Sequence, residues 1–447
     1  MRDRALWTAC VIYAAVLFAL GVVKYEAHRS LVDLGIFTQT AANAFGCFCN
    51  PIEGSHWAFH FSPVLYVAGA AIAVWHSPLA LTLLQAIAGA LCAPPVYALV
   101  RQRAPVAFAR ICAAIVLLYP PLLGLIFNDF HENGFAPAAA LWLLWAFTTR
   151  RLALTVVLAA LVLGIKEDQA VFLAFAGMFA FIAFRTLDPV RARLALAISG
   201  FSVAVLMVFF FVIQPHAAAN PHWNPVRFYA WSSADFAHLG SGLLARAGFI
   251  VLVFLPLLFM PLRVAPILLA LPPLAEVLFS RMPTTYTLGS HYAGAWAGYV
   301  LFAFALAMAK QFVFNERKAW RIAWWCVALC ALELAVANPM HPRMNLHVRS
   351  ADDRRLDIFL ATIPVNISVA THEEAYTHLA ATHPNATLLP EDSQTPIAAC
   401  YVLIDDDYSE SPRVQESRTL VQSMVRRGEL KVERREGSIS LYKRSGC

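Results

Sequence analysis

Between Leu6 and Ala337 the chain is a succession of apolar runs, many of them close to the length that crosses a bilayer, and nothing else limits its fold as strongly. A spanning helix needs about 20 predominantly apolar residues, because no water in the hydrocarbon core satisfies backbone groups that lack an internal partner. Charged residues make up only 14 % of the sequence, against roughly 25 % in soluble domains. The deficit ends at Asn338, after which the composition is that of an ordinary soluble sequence. The expectation is an all-α polytopic membrane domain over 1–337, with about 11 transmembrane helices, and a small α/β soluble domain over 338–447.

The apolar runs place spans at 6–23, 79–100, 106–124, 135–149, 152–165, 169–185, 194–213, 247–262, 264–280, 291–309 and 319–337. The run 62–76 is too short to cross and reads as an interfacial or re-entrant helix. No small-residue cleavage site precedes Lys24, so the first run reads as an uncleaved helix. With the N-terminus cytoplasmic, Arg101, Arg103, Arg110, Arg150, Arg151, Arg185, Arg191, Arg193, Arg263, Lys310, Arg317, Lys318 and Arg321 all fall inside, as basic residues of short loops do. The soluble tail then lies outside. That arrangement requires 152–185 to be two short spans meeting at Lys166-Glu167-Asp168-Gln169.

The tail reads as a layered βαβ domain. Strands are expected at 366–370, 386–389 and 398–404, a helix starting with Thr371 as N-cap and Glu374 as its capping-box partner, an amphipathic helix at 412–427, and a hairpin over 430–443 turning near Gly437. It has no Gly-rich phosphate loop. Asp405-Asp406-Asp407 closes a strand. The net charge of +6 follows from arginines on one side of the membrane, and no basic patch with interleaved aromatics points to nucleic acid. Cys10, Cys92, Cys112, Cys326 and Cys330 sit in apolar runs as small hydrophobes. Cys47 and Cys49 form a lone C-x-C pair, a weak metal signal.

In this topology the ionisable side chains gather at the outer ends of the spans. Asp33 stands in the first outer loop in Leu31-Val32-Asp33-Leu34-Gly35, either as a helix cap or as a reactive carboxylate. His56 and His60 close that loop. Asp129, His131 and Glu132 lie in the second, Lys166, Glu167 and Asp168 in the third, and His216, Asn220, His222 and Trp223 in the fourth. Glu276, Arg281, His291 and Tyr292 follow. Ionisable groups at membrane depth cost several kcal/mol and face a cavity or a partner, so the pattern points to one polar cavity open to the outer side. The signatures of zinc proteases, serine hydrolases and P-loop enzymes are absent.

Four motifs, Asp33-Leu-Gly-Ile-Phe-Thr-Gln39, His60-Phe-Ser-Pro63, Asn128-Asp-Phe-His131 with Glu132, and Lys166-Glu-Asp168, resemble a prokaryotic predicted-membrane-protein family, a domain of unknown function related to the GT-C glycosyltransferases; Ser290-His-Tyr292 fits as a fifth. The resemblance covers residues 6–337 and implies a GT-C-like fold in the prokaryotic inner membrane. It implies transfer of a sugar from a polyprenyl phosphate to an acceptor at the outer face. Asp33 is then the catalytic base, with His60, Asp129, His131, Glu132, Lys166, Glu167, Asp168, Arg281, His291 and Tyr292 as substrate-binding candidates. The departing phosphate needs positive groups, for which Lys166, Arg281 and a protonated His291 are candidates. Asp33 has no acidic neighbour, unlike many GT-C loops, so a divalent cation is not indicated and the cofactor is left open. A transporter or lipid flippase with the same outward polar cavity is the alternative.

Overall fold

The computed structural model describes residues 3–217, 226–229, 232, 239–337, 339–340, 348–392, 395–408 and 412–447. Asn220, His222 and Trp223, expected in the fourth outer loop, lie outside the described residues. Among the described residues five helices are long and apolar enough to cross a membrane: Arg4–Glu26, Leu79–Arg101, Pro189–Ala217, Ala293–Phe314 and Glu316–Val336. Val106–Leu118 and Pro120–Phe127 make a sixth if taken together, bent by 49°. The bend has a local cause. Pro120 offers no N–H and disfavours helical geometry in the residue before it, and Tyr119 accordingly sits extended, with ψ 115°.

The shorter apolar helices are Leu65–Val74, Leu152–Leu163, Asp168–Phe184, Gly242–Leu257 and Ala265–Phe279. The run 62–76 thus holds a helix of 10 residues, and 152–185 is two helices broken around Lys166. By length and composition five or six helices among the described residues qualify as spans, where the apolar runs of the sequence led to about eleven. Proline explains much of the difference. Pro256, Pro261, Pro266, Pro272 and Pro273 divide 247–280 into short 3-10 and α-helical pieces.

The chain divides into two compact units, and not at a single point in sequence. The first comprises Met1–Ala19, Trp57–Leu65 and Leu83–Pro342, the second Leu20–His56, Tyr66–Thr82 and Arg343–Cys447. The tail, expected as a domain from 338 onward, therefore shares its unit with much of the first loop. At the centre of the first unit is the helix Ala293–Phe314, 72 % of whose most apolar stretch is buried. Small residues let it approach its neighbours: a Cβ on Gly294 would come within 2.3 Å of the Asn133 carbonyl oxygen. The same stretch in Arg4–Glu26 and in Pro189–Ala217 is only 22 % buried, as expected of apolar surface that faces lipid.

In the second unit the tail builds a five-stranded sheet from β1 (Val369–Thr371), β2 (Ala386–Leu388), β3 (Tyr401–Asp405), β4 (Leu430–Glu436) and β5 (Ile439–Arg444). The order is β2-β1-β3-β5-β4, with β1 parallel to β2 and β3, and β5 antiparallel to β3 and β4. One face is covered by Ala351–Leu360 and Glu373–Leu379 through Leu356, Phe359, Tyr376 and Leu379, the other by Pro412–Arg426 through Val414, Val421 and Met424. Thr371 is not the expected N-cap. It ends β1, and His372 takes the cap position without a capping bond, its Nδ1 lying 3.0 Å from Glu374 Oε2. The capping box sits instead at Ser350 and Asp353, ahead of a helix the sequence reading did not place. Cys47 pairs with Cys49 and Cys400 with Cys447, so the C-x-C pair is a disulfide; the other five cysteines are free and buried.

Candidate functional site

In the first unit the polar residues are assembled by the turn that follows the bent helix pair. Gln85, buried on Leu79–Ala90, gathers this turn. Its amide nitrogen lies 3.1–3.3 Å from the carbonyl oxygens of Leu125, Ile126, Asn128 and Asp129, and its oxygen accepts the His131 N–H at 3.0 Å. Those of Leu125 and Ile126 are carbonyls a helix end leaves without partners. Gly134 is needed there, since a Cβ would stand 2.7 Å from the Gln85 oxygen. A second turn, between Leu152–Leu163 and Asp168–Phe184, presents Lys166, Glu167 and Asp168, and its Gly164 carbonyl accepts the Val64 N–H at 2.7 Å. That bond places the His60 segment alongside.

The side chains then meet. His60 Nδ1 is 2.8 Å from Glu167 Oε1, and the Phe61 N–H donates to Glu167 Oε2 at 2.9 Å. Lys166 Nζ is 3.6 Å from Glu132 Oε1, and His131 Nδ1 is 3.0 Å from Glu132 Oε2. The His131 ring stacks on His291 at 3.9 Å, and Tyr292 lies against His291. Glu132 is fully buried and Lys166 nearly so. Burial is the largest influence on both and opposes both charges, yet each charge holds the other. The Lys166 ammonium, with Glu132 and then Asp168 and Glu167 around it, is pushed above its ordinary range; Glu132 is held well below the usual carboxylate range. Glu167 is also lowered, burial being outweighed by His60 and Lys166. Burial keeps His131 and His291 below the ordinary imidazole range, His291 strongly so. Burial thus opposes a positive charge on His291, the group expected as a cation for a phosphate.

His60, His131, Glu132, Lys166, Glu167, His291 and Tyr292 are thus brought together, and Asp168 shares the electrostatic field of Lys166, Glu167 and Glu132. Asp129 is buried in the Gln85-bound turn. Arg281 is not among the side chains joined by these contacts; it is exposed, and its backbone N–H donates to the Phe228 carbonyl. Asp33 belongs to the second unit. It is not the N-cap, which is Leu31, but stands in the first turn of Val32–Ala42, where a carboxylate complements the helix dipole. Two other residues of its motif serve packing. Gly35 makes room for the Tyr376 ring, which a Cβ would meet at 2.4 Å. Gln39 accepts the Tyr376 hydroxyl at 2.6 Å and donates to the His383 and Ala386 carbonyls.

The sequence reading missed Gln85, Gln169 and Tyr299. Gln169 donates to Asp168 at 3.1 Å while its own oxygen, the Asn133 side-chain oxygen and the Tyr299 hydroxyl are buried with no hydrogen-bond partner among the described residues. Tyr299 and Glu276 both feel the Asp168 charge. A single polar residue in an apolar run was the available signal for Gln85 and Tyr299. Among the described residues, the one trio of His and carboxylate side chains with ligand atoms mutually close enough for a metal lies in the second unit: His28, Asp357 and His378.

The profile of the family described as "Predicted membrane protein (DUF2079)" matches residues 28–437. No curated protein matches the sequence. Among solved structures the chain is similar to ArnT from Cupriavidus metallidurans bound to undecaprenyl phosphate, with 12 % identity, 99 % of each chain covered and a TM-score of 0.56. It is also similar to the Archaeoglobus fulgidus oligosaccharyltransferase AglB in complex with an inhibitory peptide and a dolichol-phosphate, at 14 % identity over 98 % of this chain and 74 % of that one, TM-score 0.43. The apo form of that oligosaccharyltransferase gives 14 %, 89 %, 70 % and 0.40. At 12 % identity the likeness to ArnT is one of fold.

Proposed function

The chain belongs to the family of predicted membrane proteins DUF2079, and from that premise we propose that it is an integral membrane glycosyltransferase, moving a sugar from a polyprenyl-phosphate donor to an acceptor at the outer face of the membrane. The observation that carries the reading is the buried cluster of the first unit, in a chain whose fold resembles ArnT along its whole length. Carboxylates, a lysine, imidazoles and amide and hydroxyl groups with unused bonding capacity are what a hydroxyl-rich, phosphate-bearing ligand needs.

The reaction asks for few parts. An acceptor hydroxyl oxygen attacks the anomeric carbon, the bond from that carbon to the phosphate oxygen breaks, and polyprenyl phosphate departs. A carboxylate takes the acceptor proton; Asp33 is the proposed base. Lys166 is the proposed partner of the departing phosphate, its charge shared with Glu132. Glu167, Asp168 and Gln169 are proposed to hold sugar hydroxyls, with His60 bonded to Glu167 and Tyr292 beside His291. Asp129 and Arg281 are retained as peripheral substrate contacts. The proposed orientation keeps the N-terminus cytoplasmic and the tail outside, where Cys400–Cys447 and Cys47–Cys49 meet the oxidising conditions disulfides require.

The test is native mass spectrometry of the purified protein for retained lipid, followed by transfer assays, on wild type and Asp33→Asn. A co-purifying polyprenyl phosphate or its glycosylated form, with transfer lost in a folded Asp33→Asn protein, is the expected result. Near-normal transfer by that variant removes Asp33 from the mechanism. Bulk phospholipid alone, with no binding of added polyprenyl phosphate, overturns the reading in favour of transport.

A further inference from the structure

Three side chains of the second unit converge away from the cluster described above. His28 follows the helix Arg4–Glu26, Asp357 stands on Ala351–Leu360, and His378 is in the last turn of Glu373–Leu379. His28 Nε2 is 3.0 Å from Asp357 Oδ1, and His378 Nδ1 is 3.7 Å from the same oxygen. The three ligand atoms lie within 4.8 Å of one another. His28 is fully buried and holds a left-handed backbone, φ 51°, which a non-glycine residue adopts only when its surroundings require it.

The hydrogen positions follow from the partners. His378 Nε2 lies 2.9 Å from the Tyr25 carbonyl oxygen, which only accepts, so that nitrogen carries the hydrogen. In a neutral ring Nδ1 is then a lone pair facing a carboxylate oxygen. Two acceptors in that position repel unless a cation stands between them. The outer groups are those that orient metal ligands: a backbone carbonyl on the far nitrogen of His378, and Arg349 on the second oxygen of Asp357. A tetrahedral ion with bonds of about 2.0–2.1 Å sets its donors roughly 3.3 Å apart, and 3.0 and 3.7 Å bracket that spacing.

We propose that His28, Asp357 and His378 form a zinc site with an open fourth position, joining the end of the first helix to the soluble tail. Two imidazoles and one carboxylate favour zinc over magnesium or calcium, which take oxygen ligands. The two rings stack at 3.8 Å with 20° between their planes. Nothing in the proposed glycosyl transfer depends on this site.

The experiment uses the full chain in detergent, purified without a histidine tag or chelator. Elemental analysis counts the bound metal, before and after incubation with zinc chloride and desalting. Cobalt chloride is then added to apo protein and the visible absorption recorded, since four-coordinate cobalt has a distinctive spectrum. A single zinc per chain and a tetrahedral cobalt spectrum in wild type, both lost in His378→Gln and in Asp357→Asn, are expected. His28→Gln guards against a variant that fails to fold, circular dichroism reporting the fold of each. Zinc-free protein that gains neither zinc nor the cobalt spectrum overturns the proposal and leaves His28 and Asp357 as a plain hydrogen-bonded pair. Metal retained undiminished by folded variants overturns it as well.

Discussion

Replacing Lys166 by methionine removes the cation from a site that keeps its carboxylates. At 3.6 Å and an effective dielectric of about 20, the attraction between Lys166 and Glu132 is about 4.6 kcal/mol. Glu132 is fully buried, so water does not replace what is lost. Breaking a buried pair by removing one partner costs about 3–5 kcal/mol. The two halves are not equivalent. Lys166 also counters Asp168 and Glu167, so Lys166→Met falls at the upper end of that range and Glu132→Gln below it. At roughly 2 °C per kcal/mol for a large chain, Lys166→Met lowers the melting temperature by about 8–10 °C. The double variant regains part of that loss, because the neutral pair leaves no stranded charge. Melting of the four proteins in one detergent, followed by intrinsic fluorescence, measures the cycle. If both single variants melt within about 2 °C of wild type, or if their losses simply add, the pair is not the desolvated contact described and the reasoning fails.

Gln85→Leu leaves the His131 N–H and the carbonyls after the bent helix without their partner, and is expected to cost about 2–3 kcal/mol; a melting temperature equal to wild type counts against Gln85 as the organiser of the turn. Because burial holds the His131 and His291 imidazoles below their ordinary range, the unfolded chain binds protons first as pH falls. Stability is therefore retained at neutral pH and declines below about 6.5; His291→Asn should flatten that decline, and an unchanged slope would refute the assignment. Cys400–Cys447 closes a segment of 47 residues, for which chain entropy sets a stabilisation of about 4 kcal/mol. Cys447→Ser should make the tail markedly more sensitive to proteolysis, and equal protection would show that the bond contributes little.

Much of the outline could be read before any fold was known. Apolar length marked Arg4–Glu26, Ala293–Phe314 and Glu316–Val336, and the charged tetrad at Lys166 marked the break between Leu152–Leu163 and Asp168–Phe184. The end of β3 at Asp405 and the hairpin of β4 and β5 around Gly437 were visible in strand-forming runs and a glycine with φ 61°. The motif clusters at His60, His131 and Lys166 could be named one by one, because a charge inside an apolar stretch is conspicuous. Thr371 was misread because a capping pattern is a local signal, and pairing of β1 with β2 and β3 claimed that residue for the sheet.

What sequence alone determined was which stretches leave water and which residues carry charge, since both follow from composition over a short window. What tertiary structure decided was which charges meet. Glu132 and Lys166 are separated by two helices and their turns, and His28 from Asp357 and His378 by most of the chain. No periodicity encodes such distances. They are set by Gln85 drawing in a helix end, by Pro120 bending its helix, and by Gly35 and Gln39 seating Val32–Ala42 on Tyr376. Each of these is a packing event, and packing is a property of surfaces that the linear order does not contain.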